Sequence, residues 1–337
     1  MAGCPYSSGF ACGESIEITG PPGSGKTALS IQLAVRCRLA HVLEQLERHA
    51  RARAVSEPPS SASLELFSGT FGDPKHCASL DEWLDAEILP HCGQAVVVDT
   101  EGGAVASRIV QAVDAALTPD AVRRAAAVST PIALRPALQR AVLLGLHVVR
   151  VLSLGELIAF IGAANCTPTC LPARTALLVL DSLSAYFYLG ALPQGLTREQ
   201  WRMRADACAH VLDGLASLRR LDREPSVRIT VVATTQMAQR MLGDGRDGVL
   251  APVGADSRPA TAAAACEWGP SVLGKAWRIL LFFYRVRHRV LYIQAAPPAV
   301  CAALEPEPVH RCIPIGMRSG CLQMIPYCLR SNESSSR

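Results

Sequence analysis

The sequence is short of charge. Only 18% of its 337 residues are Asp, Glu, Lys or Arg, against 50% hydrophobic. A chain so poor in charge and so rich in apolar side chains folds around a substantial core, in one large domain or two small ones. A strong charge of either sign is missing as well. The net charge of +4 is too mild to demand nucleic acid as a partner. Uninterrupted apolar runs are missing too. The most apolar stretch, AVLLGLHVVRVLSLGELIAFIGAA, is broken by His147, Arg150 and Glu156. Charge at mid-bilayer depth is costly, so the stretch reads as strand, turn and helix in a soluble core and no membrane partner is expected. The opening residues, MAGCPYSSGFACGESIEITG, hold no basic start followed by an apolar run, and no secretory leader is expected. No internal repeat is visible.

Cysteine is plentiful, but paired cysteine is not. The thirteen cysteines are odd in number, and without a leader they read as small, reduced, hydrophobic side chains of a cytosolic or nuclear protein. Cys166 and Cys170, in CTPTC, hint at a metal, yet no second pair stands at ligand spacing. The sequon at Asn332 reads as a polar tail.

What is present begins near the N-terminus. GESIEITG reads as a strand, with Ile16 and Ile18 alternating with Ser15 and Glu17. It runs into Gly20, Pro21, Pro22, Gly23, Ser24, Gly25, Lys26 and Thr27, which satisfy G-x-x-x-x-G-K-[ST], the P-loop, and a helical stretch follows. Glycines at 20, 23 and 25 are expected to turn the backbone so that N–H groups face phosphate oxygens. The helix N-terminus adds positive potential. Lys26 suits the β- and γ-phosphates of ATP, and the Thr27 hydroxyl suits Mg²⁺. The bland alternative is a chance glycine-rich turn, against which the strand–loop–helix context counts.

Three further strand ends carry polar groups. QAVVVDTEGG is a buried strand ending in Asp99, Thr100 and Glu101. Ligands of open parallel sheets collect at such ends, and a carboxylate there could activate water; a solvated turn acid is the plain alternative. TALLVLDSLSAYF ends its strand at Asp181, a Walker B pattern in which a carboxylate holds Mg²⁺, or else an Asp capping the next turn. RITVVATTQM ends at Gln236, whose amide could sense a γ-phosphate, though a polar strand end is commonplace. Further on, GKAWRILLFFYRVRHRVLYIQA reads as two strands around a basic turn at residues 285–288, either a nucleic-acid contact or a solvated hairpin tip. REQWRMRADACAHVLDGLASLRRL reads as an amphipathic helix, its apolar face carrying Trp201, Ala205, Cys208, Val211, Leu212 and Leu215.

In order, these strings resemble the RecA/Rad recombinase family, and within it the short eukaryotic recombinase paralogues: GESIEITGPPGSGKT, VVVDTEGG, LLVLDSLSAYF, VVATTQM and LGKAWRILLFF. The likeness covers roughly residues 13–295 in patches. It implies a RecA-like P-loop NTPase core: a doubly wound α/β domain with a mainly parallel sheet and an antiparallel C-terminal hairpin. It implies ATP and Mg²⁺ as cofactors, Glu101 as catalytic glutamate, Asp181 and Thr27 at the metal, and Gln236 as sensor. It also implies a nuclear accessory subunit in homologous recombination, with other recombinase paralogues as partners, a D-type paralogue among them, and single-stranded DNA engaged through the complex.

Departures from the family pattern are visible. Residues 45–90 read as an insertion with a flexible SEPPSSAS centre. Residues 296–337 form a Pro- and Cys-rich tail with no recognised motif, after a domain expected over 1–295. The P-loop starts at residue 20, leaving no evident N-terminal helical DNA-binding domain. The loop expected over 238–271 carries Arg240, Arg246 and Arg258 against Asp244, Asp247 and Asp256. With the hairpin cations Arg285, Arg287 and Arg289, these are the candidate DNA contacts, and a weak set for an isolated chain. An autonomous DNA-dependent ATPase and a scaffold with a vestigial nucleotide site remain the alternatives.

Overall fold

The computed structural model describes residues 13–56, 80–125, 131–187, 197–220, 228–241, 248–252, 277–284, 288–294, 311–318 and 321–324. Five strands run parallel: β1 (Ser15–Gly20), β2 (Gln94–Asp99), β3 (Leu146–Arg150), β4 (Thr175–Asp181) and β5 (Thr230–Met241). Their order across the sheet is β1-β5-β4-β2-β3. The far half of β5 pairs antiparallel with β6 (Gly248–Pro252). On the other side of β1 lies β7 (Trp277–Tyr284), parallel to it. The antiparallel strands β8 (His288–Gln294), β9 (Arg311–Arg318) and β10 (Cys321–Met324) continue outward. The chain is thus α/β with a mostly parallel sheet, an architecture compatible with a Rossmann-like or RecA-like core.

Helices cover both faces of the sheet, which explains the unbroken apolar runs of its central strands. Ala95 and Val97 of β2, with Leu177 and Val179 of β4, pack beside Ala34 and Cys37 of α1 (Lys26–Ser56). Their neighbours Val96, Val98, Leu178 and Leu180 turn to the opposite face. There they meet Leu157 and Ile161 of α6 (Leu154–Cys166) and Val211, Leu215 and Leu218 of α8 (Arg198–Arg220). Each such fully buried side chain contributes about 1.5–3 kcal/mol of transfer free energy. β1 is buried along its whole length. Two of its three enclosed polar side chains have partners: Arg219 donates to Ser15 Oγ at 2.9 Å, and Thr235 Oγ1 donates to Glu17 Oε1 at 2.9 Å, while the buried Thr19 Oγ1 has none among the described residues.

The three residues that interrupt the apolar stretch at 141–164 each have a local role. His147 Nε2 lies 2.5 Å from Gln94 Oε1 across the β2–β3 ladder. Arg150 forms an ion pair with Asp99. Glu156 closes the start of α6: its backbone N–H donates to Ser153 Oγ at 3.1 Å, while its carboxylate accepts from Leu152 N–H at 2.8 Å. Such a reciprocal cap is worth about 1 kcal/mol. Among the described residues, no helix is long and apolar enough to cross a membrane.

α1 reaches far past the helix read from ALSIQLAVRC. Ile31, Val35, Val42 and Leu46 lie buried along one stripe, packing with α3 (Ala106–Ala116), α4 (Pro119–Ala125) and α5 (Pro131–Leu144). Arg38 is on that stripe and only 2% exposed. Its guanidinium donates to the carbonyls of Ala141, at 3.3 Å, and Gly93, at 3.0 Å, joining α1 to the end of α5 and the start of β2. The approach is so close that a Cβ on Gly145 would lie 1.9 Å from Arg38 Nε. Beside it, burial and the Arg38, Arg174 and Arg48 charges push the His41 pKa down to about 4. Burial pushes the Cys92 thiol up to about 11.

Of the expected insertion at 45–90, residues up to Ser56 belong to α1. Residues from 80 on form α2 (Leu80–Trp83) and two short helical turns ending at His91. Residues 57–79 lie outside the described set. In the range read as a Pro- and Cys-rich tail with no recognised motif, β9 and β10 extend the sheet. The expected 238–271 loop begins inside β5, and β6 falls within it, because the extended end of β5 offers its backbone groups for pairing.

Candidate functional site

Three strand ends converge with the point in β5 where its parallel pairing stops. β1 delivers Gly20, β2 Asp99, β4 Asp181 and β5 Gln236, and register places Gly20 beside Gln236 and Asp99 beside Asp181. Beyond β1 the chain turns through Ser24, whose N–H donates to the Pro21 carbonyl at 3.2 Å. α1 then opens with Leu29 N–H donating to the Gly25 carbonyl at 2.9 Å. Helix geometry leaves the first N–H groups of α1 without intrahelical partners, pointing into this turn. Gly23 and Gly25 take φ of 74° and 103°, conformations that alternate N–H directions into a concave nest. Gly20 needs no positive φ, contrary to the role expected for it: it is the last residue of β1, held in the ladder opposite Gln236. Pro22 is exposed at the tip, and the buried Ser24 Oγ has no hydrogen-bond partner among the described residues.

Lys26 is 8% exposed and bridges the turn, its Nζ donating to the Gly20 and Pro21 carbonyls at 3.0 Å each. Burial lowers its pKa, while the Asp181 and Glu101 carboxylates oppose that shift. Asp181 faces the converse problem. Burial raises its pKa, hydrogen bonds from Thr234 and Thr27 oppose the rise, and the Glu101 and Asp99 charges add to it. The Thr234 hydroxyl donates to Asp181 Oδ1 at 2.5 Å. A phosphate beside Lys26 and a cation beside Asp181 would each favour the charged form that burial disfavours.

The donor set near Asp181 is a carboxylate and the Thr27 hydroxyl. Hard oxygen donors of this kind, few in number, fit Mg²⁺, which keeps several waters and takes phosphate oxygens. Among the described residues no cluster of three His, Cys, Asp or Glu side chains could cage a metal. Cys166 and Cys170 are exposed at the end of α6 and on the turn after it.

The strand ends are sewn together by short side chains. Thr100 Oγ1 lies 2.8 Å from the Ser182 carbonyl and 2.7 Å from the Ser182 N–H. Thr100 N–H donates to the Asp181 carbonyl at 2.8 Å, and the Asp181–Ser182 peptide is cis. Leu183 N–H donates to the Thr234 carbonyl at 2.9 Å. Ser184 Oγ, opening the short helix α7 (Ser184–Phe187), accepts from Gln236 N–H at 2.9 Å. Glu101 is exposed, and its Oε1 accepts from Gln236 Nε2 at 3.1 Å.

The structure therefore brings Lys26, Thr27, Glu101, Asp181 and Gln236 to one edge of the sheet. Asp99, Arg150, Thr100, Ser184 and Thr234 belong to the same assembly; sequence reasoning placed Asp99 and Thr100 only within the polar end of β2 and assigned Arg150, Ser184 and Thr234 no part in it. Arg150 stands 51 residues from its partner, and only the β2–β3 register joins them; the glycine pair after Glu101 was the one visible signal of a tight turn. The side chains of Arg240 and Arg289, and residues 246, 258, 285 and 287 entirely, lie outside the described set. No family model matches the chain, and no curated protein matches it.

Proposed function

We propose that the chain is an ATP-binding P-loop protein with a RecA-like core and an antiparallel C-terminal hairpin, of the RecA/Rad recombinase family. Within that family it resembles the short eukaryotic paralogue called X-ray repair cross-complementing protein two. On this reading it is a nuclear accessory subunit of homologous recombination and double-strand break repair. Other recombinase paralogues, a D-type one among them, are its partners, and single-stranded DNA is engaged through the complex. The carrying observation is the convergence of Lys26, the Thr27–Asp181 pair and the Glu101–Gln236 pair at the C-terminal ends of parallel strands.

Residues 20–27 cradle the phosphates, with Lys26 moving from the loop carbonyls to the β/γ-phosphates. Thr27 and Asp181 hold Mg²⁺, which when bound neutralises phosphate charge. Glu101 orients a water and accepts its proton, and Gln236, bonded to Glu101, reports the γ-phosphate. The test is titration of a fluorescent ATP analogue with Mg²⁺ into the wild-type chain and Lys26→Ala. An affinity loss of at least about tenfold is expected; equal affinities overturn the nucleotide reading. Purification from cells followed by identification of the bound chains tests the partner, and recovery without any recombinase paralogue overturns the accessory-subunit reading.

A further inference from the structure

Resting on the nucleotide reading above, we infer that Asp99 and Arg150 are positioning residues that hold Glu101 in its working place. Asp99 is the last residue of β2 and 3% exposed. A carboxylate there is costly to bury unless its lone pairs are used. They are used on the turn that carries Glu101 and on one guanidinium beside it. Asp99 Oδ1 accepts from the backbone N–H groups of Glu101 at 3.2 Å, Gly102 at 2.8 Å and Gly103 at 3.1 Å. Oδ2 accepts from Ala104 N–H at 3.2 Å and from Arg150 Nη1 at 2.8 Å. Donors aimed at an ionised acceptor bind it more strongly than neutral pairs do.

Arg150 closes the arrangement from the next strand, where register sets it beside Asp99. Gly102 has φ of 82°, and a Cβ on it would lie 2.6 Å from Arg150 Nη1, so the turn runs against the guanidinium. One residue on, a Cβ at Gly103 would lie 2.8 Å from the Thr27 methyl and 3.6 Å from Asp181 Oδ2. The turn is threaded between Arg150 and the Thr27–Asp181 pair, with no width to spare. The conformation that sends the Glu101 side chain toward Gln236 is therefore imposed by Asp99 and Arg150, neither of which lies in the phosphate loop. Misplacing a reacting group by about 1 Å costs on the order of 10²-fold in rate, so the pair governs turnover rather than binding.

The experiment uses the full chain with whatever chains co-purify with it. Asp99→Ala and Arg150→Ala are expected to bind the fluorescent ATP analogue within about threefold of wild type, while kcat falls at least about tenfold. Arg150→Lys restores part of kcat by returning one donor. Asp99→Asn, which keeps an acceptor for the turn but loses the charge, falls in between. Unchanged kcat in Asp99→Ala or Arg150→Ala overturns the inference, as does a loss confined to nucleotide affinity. Amide hydrogen exchange over residues 99–106 provides a readout independent of nucleotide. Loss of protection at 101–104 in Asp99→Ala, with exchange elsewhere unchanged, supports the positioning role; unchanged protection there overturns it. Failure of the nucleotide reading is distinguished by Lys26→Ala binding the analogue as well as wild type does.

Discussion

Two regions of this molecule bury charge, and they handle it differently. At the strand ends, Lys26, Asp99 and Asp181 are enclosed within reach of one another, and each charge has an opposite charge nearby. Beneath α1, Arg38 is enclosed against the carbonyls of Ala141 and Gly93, with His41 held neutral beside it. The first arrangement leaves Lys26 and Asp181 with their charged forms disfavoured by burial, a cost that an incoming phosphate and cation would relieve. The second uses a guanidinium as a multi-headed hydrogen-bond donor that joins three backbone segments. Buried charge marks a candidate for chemistry in one place and a structural joint in the other; the partners, not the burial, separate them.

The largest test of this contrast is Arg38→Ala. It leaves two buried carbonyls without their donor and empties the space of the side-chain stem, for a loss of about 3–5 kcal/mol. The melting temperature should fall on the order of 10 °C, while ATP-analogue affinity measured below the transition stays within about twofold of wild type. If the affinity instead falls as far as in Lys26→Ala, the two regions are one functional unit and the contrast breaks.

The next test is acid. His41 has a folded-state pKa of about 4, below its unfolded value of about 6.5. The unfolded chain therefore binds more protons, and stability is complete above pH 6.5 and lost as pH falls toward 4. Those values correspond to about 3 kcal/mol. Urea unfolding at pH 7, 5.5 and 4.5 should show this slope, and His41→Leu should flatten it. An unchanged slope would show that other groups control acid stability.

The smallest expected effect sharpens the strand-end side. Thr234→Val removes the hydroxyl that donates to Asp181 and so raises the Asp181 pKa further. Mg²⁺-dependent affinity for the ATP analogue should drop about fivefold at pH 6, equivalent to about 1 kcal/mol. The deficit should shrink as the pH is raised, since a raised pKa weakens Asp181 as a ligand most where protons compete for it. A deficit independent of pH would assign Thr234 to geometry instead of charge.

The parts of this arrangement visible in the sequence are those with local signatures. β2 and β4 are continuous apolar runs because both of their faces are covered, and their terminal acids stand out against that background. The phosphate-loop reading needs only residues 20–27, adjacent in the chain. β1 was harder: Ser15, Glu17 and Thr19 give it the alternation of a half-exposed strand, yet side chains distant in sequence enclose its polar face. β6, β9 and β10 were not foreseen, since their pairing follows from the edges of β5 and β8 and not from their own patterns. Asp99 was read only as part of a polar strand end, and Arg150 only as a break in an apolar run. Their pairing is a product of strand register, which no short string encodes.

The first half of β5 lies between β1 and β4, and its second half leaves them to pair with β6, so one continuous strand belongs to two neighbourhoods. Gln236 sits at the junction, tied to Glu101 on one side and to Ser184 on the other. From there to Met241 the strand extends roughly 17 Å at the rise of an extended chain. One backbone therefore carries both the Glu101–Gln236 contact and the β5–β6 pairing, and β6 is built onto the same strand that closes the site edge.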